Sequence, residues 1–320
     1  MKKFLALALC LLMVIPAVFV GCDKADAKVK FGAAVYVSAP STTDATEDKN
    51  GSGKLDVTVA AVTVDKDGKI VACALDTASS TVNFTANGEA VAAGEFKTKY
   101  ELGTDYNMVA YGGATKEWFE QADAFETVVA GKTLAEVKAL VAGEGDVLAA
   151  GCTIAIGEFV GAIEKAYNAA TVEVDAKATV KVNIATEAAG TDATEDKDGS
   201  TKLTVNVFAA AVGADGKIAA ATSDCVEVSF TFNTNGASTL DTTKAVLSKR
   251  ELGFDYNMVK YGGAAKEWFE QANAFDAACV GKTTAEIAGL EAADGKGNAD
   301  LQAAGCTITV TGFVKAATKH

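Results

Sequence analysis

Few residues in this chain could do chemistry, and their spacing removes most of the usual reactions. The single histidine is His320, the last residue, so imidazole general bases, Ser-His-Asp and Cys-His pairs and histidine metal sites have nothing to build on. Gly131-Lys132-Thr133 ends like a phosphate loop, but Glu126 stands where the loop's first glycine belongs, and Asp276 stands there in the matching stretch ending at Thr283. Both read as helix starts. Asp65-Lys-Asp67-Gly68 and Asp196-Lys-Asp198-Gly199 place carboxylates at alternate positions before a glycine, as a calcium loop does. The first ligand position holds Thr63 or Thr194, and Gly213 and Asn50 replace key aspartates in the other copies, so solvated turns are expected and no metal site is assigned. A hydrolase would need a carboxylate pair that no local spacing reveals.

Two other places keep chemical potential. Tyr111-Gly112-Gly113 and Tyr261-Gly262-Gly263 stand just before apolar helical stretches, where glycines let backbone approach a ligand and a helix start offers N–H groups to an anion. A tight turn that packs tyrosine and tryptophan into the core is the alternative. The second place is the pair of Ala-Gly-Cys-Thr segments ending at Thr153 and Thr307. The cysteines themselves suggest little chemistry. Apart from Cys10 and Cys22 near the N-terminus, five remain, at Cys73, Cys152, Cys225, Cys279 and Cys306. An odd number cannot all pair within one chain, and the spacings suit neither a disulfide framework nor a zinc site. Most are expected as small buried hydrophobes.

The elements that must position these residues are written twice. Glu101–Gln121 recurs as Glu251–Gln271, with changes only at Thr104/Phe254, Ala110/Lys260 and Thr115/Ala265. Upstream, Asp44-Ala-Thr-Glu-Asp48 matches Asp192–Asp196, and Asp67-Gly-Lys-Ile70 matches Asp215–Ile218. Modules are placed at 27–170 and 171–320, each of single-domain size and expected to bury its own core as one of two beads on a tether. The period is too long for a solenoid.

Phe31, Ala33, Val35 and Val37 alternate as a half-buried strand does, as do Val180, Val182 and Ile184. Leu55–Val59 and Leu203–Val207 start second strands that turn at Asp67-Gly68 or Asp215-Gly216 and return through Ile70 or Ile218, a hairpin signal. Third strands are expected through Val82 and Phe84 and through Val228 to Phe232. Trp118, Phe119, Ala122 and Phe125 recur at helical spacing, as do Trp268, Phe269, Ala272 and Phe275. Thr133-Leu-Ala-Glu136 and Thr283-Thr-Ala-Glu286 are capping boxes. A last strand through Ile154 and Ile156 precedes a helix with Phe159, Ile163 and Tyr167. The expected class is α+β, two tandem antiparallel sheets with packed helices.

The N-terminus adds an address. Lys2 and Lys3 precede an apolar run from Phe4 to Val20, the order of a secretory signal and slightly short for a spanning helix. Phe19-Val20-Gly21-Cys22 resembles the lipobox of bacterial lipoproteins, which implies a signal peptide at 1–21, lipidation of Cys22 and a tether at 22–26, with two acyl chains holding the protein outside the cytoplasm. Losing Lys2 and Lys3 takes the formal charge from −13 to −15. Nucleic acid is disfavoured as a partner, since phosphate binding needs clustered lysine and arginine, and an acidic exported surface indicates solubility.

The module ends resemble the FMN-binding domain family, whose members include flavin-bearing redox subunits and lipoproteins of extracellular electron transfer. The resemblance rests on Asp146-Val-Leu-Ala-Ala-Gly-Cys-Thr153, Asp300-Leu-Gln-Ala-Ala-Gly-Cys-Thr307 and the run from Thr153 through Gly157 to Val160. It implies FMN as cofactor, attached as a phosphoester to Thr153 and Thr307 by a separate flavin transferase. It also implies membrane redox proteins as partners. Tyr106, Tyr111, Trp118, Tyr256, Tyr261 and Trp268 would be the stacking candidates. Ala150 and Ala304 depart from the family's hydroxyl residue, Cys152 and Cys306 from its alanine, and each aspartate lies one residue too far upstream. A surface binding or structural module without flavin is the alternative.

Overall fold

The computed structural model describes residues 27–94 and 96–319. The expected signal peptide, Cys22, the tether and His320 lie outside them. The first half runs β1 (Lys28–Val37), β2 (Ser41–Thr43), β3 (Gly51–Val64), β4 (Ile70–Phe84), α1 (Lys99–Leu102), α2 (Trp118–Val129), α3 (Leu134–Lys138), α4 (Gly145–Ala150) and α5 (Gly157–Asn168). The second runs β5 (Val172–Asp175), β6 (Thr179–Thr191), β7 (Gly199–Val212), β8 (Ile218–Phe232), α6 (Lys249–Leu252), α7 (Met258–Gly262), α8 (Trp268–Cys279), α9 (Thr284–Ile287), α10 (Ala299–Ala303) and α11 (Thr311–Ala317).

The class is α+β, with two antiparallel sheets and packed helices. In the first sheet β3 lies between β1 and β4, β2 pairs with the start of β3, and β5 adds outside β1. The second sheet has the order β6-β7-β8. The Asp-Gly turns form as expected: Asp65 accepts the Gly68 N–H, and Gly68 and Gly216 hold φ of 75° and 76°, a conformation that glycine adopts without strain. The strand expected to return through Ile70 and the separate strand through Val82 and Phe84 are one 15-residue strand, β4. No strand forms at Ile154 and Ile156, because the Thr153 N–H is taken by a helix side chain, Gln121, instead of a sheet neighbour.

The two halves are not beads. Val57 and Val59 of β3 and Ala78 and Val82 of β4 join one core with Val205 and Val207 of β7 and Val226 and Phe230 of β8. The other face of each sheet carries helices: Ala60 and Val62 pack with Trp118, Phe125 and Phe159, and Phe208 and Ala210 pack with Trp268, Phe275 and Phe313. The order of layers is helix, sheet, sheet, helix, so the central strands are buried on both faces. A boundary at 170/171 also sends β5 to the wrong body, since Val172–Asp175 pairs with Lys28–Phe31.

Contacts between the halves come in reciprocal pairs, the mark of a two-fold arrangement. Lys165 on α5 meets Glu251 at 2.5 Å, and Lys319 meets Glu101 at 2.7 Å. Ala45 N–H donates to Gly236 O and Ala193 N–H to Gly88 O, each at 2.7 Å. Asp44 accepts the Ser238 N–H and Asp192 the Ala90 N–H, each at 2.8 Å. Phe84 stacks on its counterpart Phe232 with centroids 4.4 Å apart. The repeated Asp-Ala-Thr-Glu-Asp segment is thus a clasp on the opposite half. Gly236 is required there, because a Cβ would lie 2.7 Å from Thr85 O.

Candidate functional site

The site common to both halves is built on a buried amide. In α2, Trp118, Gln121, Ala122, Phe125 and Val129 form the buried face, and Gln121 is the polar member of it, 1% exposed. A polar group so placed must be bonded on every side. Its Nε2 donates to Lys116 O at 3.0 Å, and its Oε1 accepts from both Thr153 N–H at 2.8 Å and Thr153 Oγ1–H at 3.0 Å. Gln271 repeats this with Lys266 O at 3.1 Å, Thr307 N–H at 2.8 Å and Thr307 Oγ1–H at 2.9 Å.

Thr153 is presented by the way α4 ends. Gly151 closes the helix in the left-handed region at φ 89°, with its N–H on Leu148 O and the Cys152 N–H on Val147 O, the familiar glycine stop of a helix C-terminus. The chain then drops Cys152 into the core and leaves Thr153 exposed. Lys116 lies across this glycine, donating to Ala150 O at 3.0 Å, and a Cβ on Gly151 would lie 2.6 Å from its Nζ. Gly305 at φ 96°, Cys306, Thr307 and Lys266 repeat the arrangement. Each threonine is exposed and spends its hydroxyl hydrogen on a glutamine, two residues after the glycine that the lysine crosses. Burial pushes the Cys152 thiol up and Cys306 up to about 11, so both remain neutral packing groups at physiological pH.

The Tyr-Gly-Gly segments do something else. Gly113 and Gly263 hold φ of 68° and 65°, and the Ala114 N–H closes a short turn on Met108 O at 3.1 Å. Gly112 and Gly262 lie inside that turn, and Tyr111 and Tyr261 project from it, 88% and 77% exposed. The anion position beside this turn is taken by the protein's own carboxylate. Buried Glu117 accepts the Met108 and Val109 N–H groups at 2.9 and 3.2 Å, and Glu267 does the same for Met258 and Val259. A phosphate placed there would meet a negative charge.

Of the other rings, Trp118 and Trp268 are 4% and 3% exposed and lie edge-on to Phe159 and Phe313, so they are core. Lys99 covers the Tyr106 ring at 5.7 Å and Lys249 the Tyr256 ring at 5.2 Å. The aspartates that begin the two motifs stay at the surface; Asp146 pairs with Lys132 at 3.0 Å. Asp65 closes its own turn, accepting from the Asp67 and Lys69 N–H groups. Among the described residues no group of three or more Asp, Glu, His or Cys is disposed to hold a metal.

The sequence names the threonines as candidates, and the structure adds Gln121, Gln271, Lys116, Lys266, Glu117 and Glu267 around them and the Tyr-Gly-Gly turns. Their signal was present: all six lie in the duplicated stretch, and a glutamine on an otherwise apolar helix face needs a partner. No known protein family, curated protein or solved structure matches the chain.

Proposed function

We propose that the chain is an extracytoplasmic, lipid-anchored electron carrier that bears FMN on Thr153, on Thr307 or on both, with Cys22 as the lipid anchor. The observation that supports this is the twin arrangement of an exposed threonine hydroxyl, oriented by a buried glutamine and flanked by a lysine. A phosphoester needs an accessible hydroxyl oxygen, and a nearby ammonium favours the phosphate's charge. The exposed, open setting fits attachment at the phosphate end better than enclosure of the ring system. Flavin, when bound, would supply the redox chemistry, and the protein would supply position. The attachment requires a separate flavin transferase, and electron traffic requires membrane redox partners.

The two positions belong to opposite outer layers of the body, because Thr153 is tied to α2 and Thr307 to α8. Sheets stack about 10 Å apart and a helix layer is about as thick. The sites therefore load independently, and each exchanges electrons with external partners. Coexpression with a flavin transferase tests the reading by in-gel flavin fluorescence of the denatured chain. Thr153→Ala and Thr307→Ala should each lower the signal, and the double variant should abolish it. A fluorescent double variant would move the attachment elsewhere.

A second reading, a surface binding module without flavin, is favoured by the exposed Tyr111, Phe254 and Tyr261 and by the departures at Ala150, Cys152, Ala304 and Cys306. A chain that remains colourless with an active transferase would favour it.

A further inference from the structure

β1 and β6 occupy equivalent places in the two halves, but only one of their outer edges is covered. β5 lies along β1, with Lys28 opposite Asp175, Val29 opposite Val174, Lys30 opposite Glu173 and Phe31 opposite Val172. Among the described residues β6 pairs with β7 alone. Phe31 sits opposite Thr63 and Val180 opposite Ala211, equivalent positions on β3 and β7. Phe31 is buried, whereas Val180 is half-buried between exposed Thr179 and Lys181. Farther along β6, Ile184 O accepts from the Lys319 ammonium at 2.8 Å instead of from a strand. Backbone groups of alternate residues face the same edge, so those of Val180 and Val182 face outward with Ile184. Such a row of unpaired N–H and C=O groups is a template for another extended segment.

β5 shows where that segment comes from. It is the stretch that leads into β6, and it is turned away at Ala176-Lys177, where the Ala178 N–H closes on Asp175 O at 2.9 Å. A piece of the second half thus covers a strand of the first. The same turn residues stand before β1: Asp26-Ala27-Lys28 recurs as Asp175-Ala176-Lys177. The two equivalent alanines meet, the Ala176 N–H donating to Ala27 O at 2.9 Å. Under the two-fold arrangement of the halves, the reciprocal of β5 is the stretch that leads into β1. That stretch is Asp23–Asp26, outside the described residues.

We propose that Asp23–Asp26 docks on the outer edge of β6 as an added strand, the counterpart of β5 on β1. Continuing the ladder past Ala27 opposite Ala176 sets Asp26 opposite Lys177, Ala25 opposite Ala178, Lys24 opposite Thr179 and Asp23 opposite Val180. Asp26 with Lys177 repeats the opposite-charge pairing of Asp175 with Lys28. Ala25 faces Ala178, a buried member of the core that already holds Val29 and Val174. No linker has to be spanned, because Ala27 already touches the second half.

An extended run of four residues is about 13 Å long, so docking brings Cys22 to the edge of β6 beside Lys181. With Cys22 as the lipid anchor, the body is held at that edge without a slack tether. The docking itself does not rest on acylation. A bare Cys22 would defeat the anchor and leave the added strand standing.

Amide exchange of the full chain, read residue by residue by NMR, tests the pairing. The Val180 N–H should exchange at least about tenfold more slowly in the wild type than in Ala25→Pro, where the N–H that bonds Ala178 O is gone. Phe31 should keep its protection in both, which reports that the body is folded. Lys24→Cys with Thr179→Cys places thiols directly opposite each other, and the pair should cross-link on mild oxidation. Lys24→Cys with Lys181→Cys is two residues out of register and should link at least about tenfold less. Equal Val180 exchange in the wild type and Ala25→Pro would overturn the proposal. So would equal cross-linking of the two cysteine pairs.

Discussion

Thr201 Oγ1 is a buried hydroxyl without a hydrogen-bond partner, in a residue 1% exposed. Its counterpart is Gly53, where a Cβ would lie 2.1 Å from the Phe230 ring, while the position matching Phe230 is Val82. The halves thus balance volume across the shared core with different residues, and one side carries a polar cost. Thr201→Val keeps the shape and removes the unpaired group, so it should stabilise the protein by about 1 kcal/mol in urea titration. No gain would mean that the hydroxyl is already satisfied in solution. Single residues of this kind were illegible in sequence, since Thr201 reads as an ordinary strand residue until the opposing sheet is known. The two threonines of the candidate site stand in a motif, whereas the glutamines that orient them lie on helix faces whose apolar spacing reads as core.

Helices were the legible elements, because their signals are local. The spacing of Trp118, Ala122 and Phe125 marks α2, and both capping boxes form as written: Thr133 caps α3 and Thr283 caps α9, each with a glutamate three residues on. Thr133→Ala and Thr283→Ala should each cost about 1 kcal/mol in the same titration, and a larger loss would show that the cap also holds the Gly-Lys turn to the hairpin. Strands were less legible. The stretch Val57-Thr-Val-Ala-Ala-Val-Thr-Val64 alternates as though half-buried, yet every residue in it is buried, because Ala60, Val62 and Val64 pack under the helices while Val57 and Val59 pack on the opposite sheet. Ile154 and Ile156 alternate too, but the adjacent backbone is held by Gln121 and forms no ladder.

At the scale of the whole molecule, duplication was legible and its consequence was not. Two similar sequences read as two domains, whereas reciprocal contacts and a common inner core make them one body. A chain from Val172 to His320 would expose Val205, Val207, Val226 and Phe230 and would carry off β5 without its partner strand. Such a fragment should not be a stable folded monomer; it should aggregate, self-associate or stay largely unfolded, as read by light scattering and circular dichroism. A monomeric fragment with a cooperative melt would show that each half suffices.

The same body places Thr153 and Thr307 on opposite outer layers, where a transferase could reach either without disturbing the core. Intact mass of the full chain after coexpression with a flavin transferase tests the functional claim most directly. The account predicts a gain of one or two FMN units less water, lost one unit at a time in Thr153→Ala and Thr307→Ala and unaffected by Cys152→Ala. A chain at its bare mass, from which denaturation releases no flavin, would contradict it.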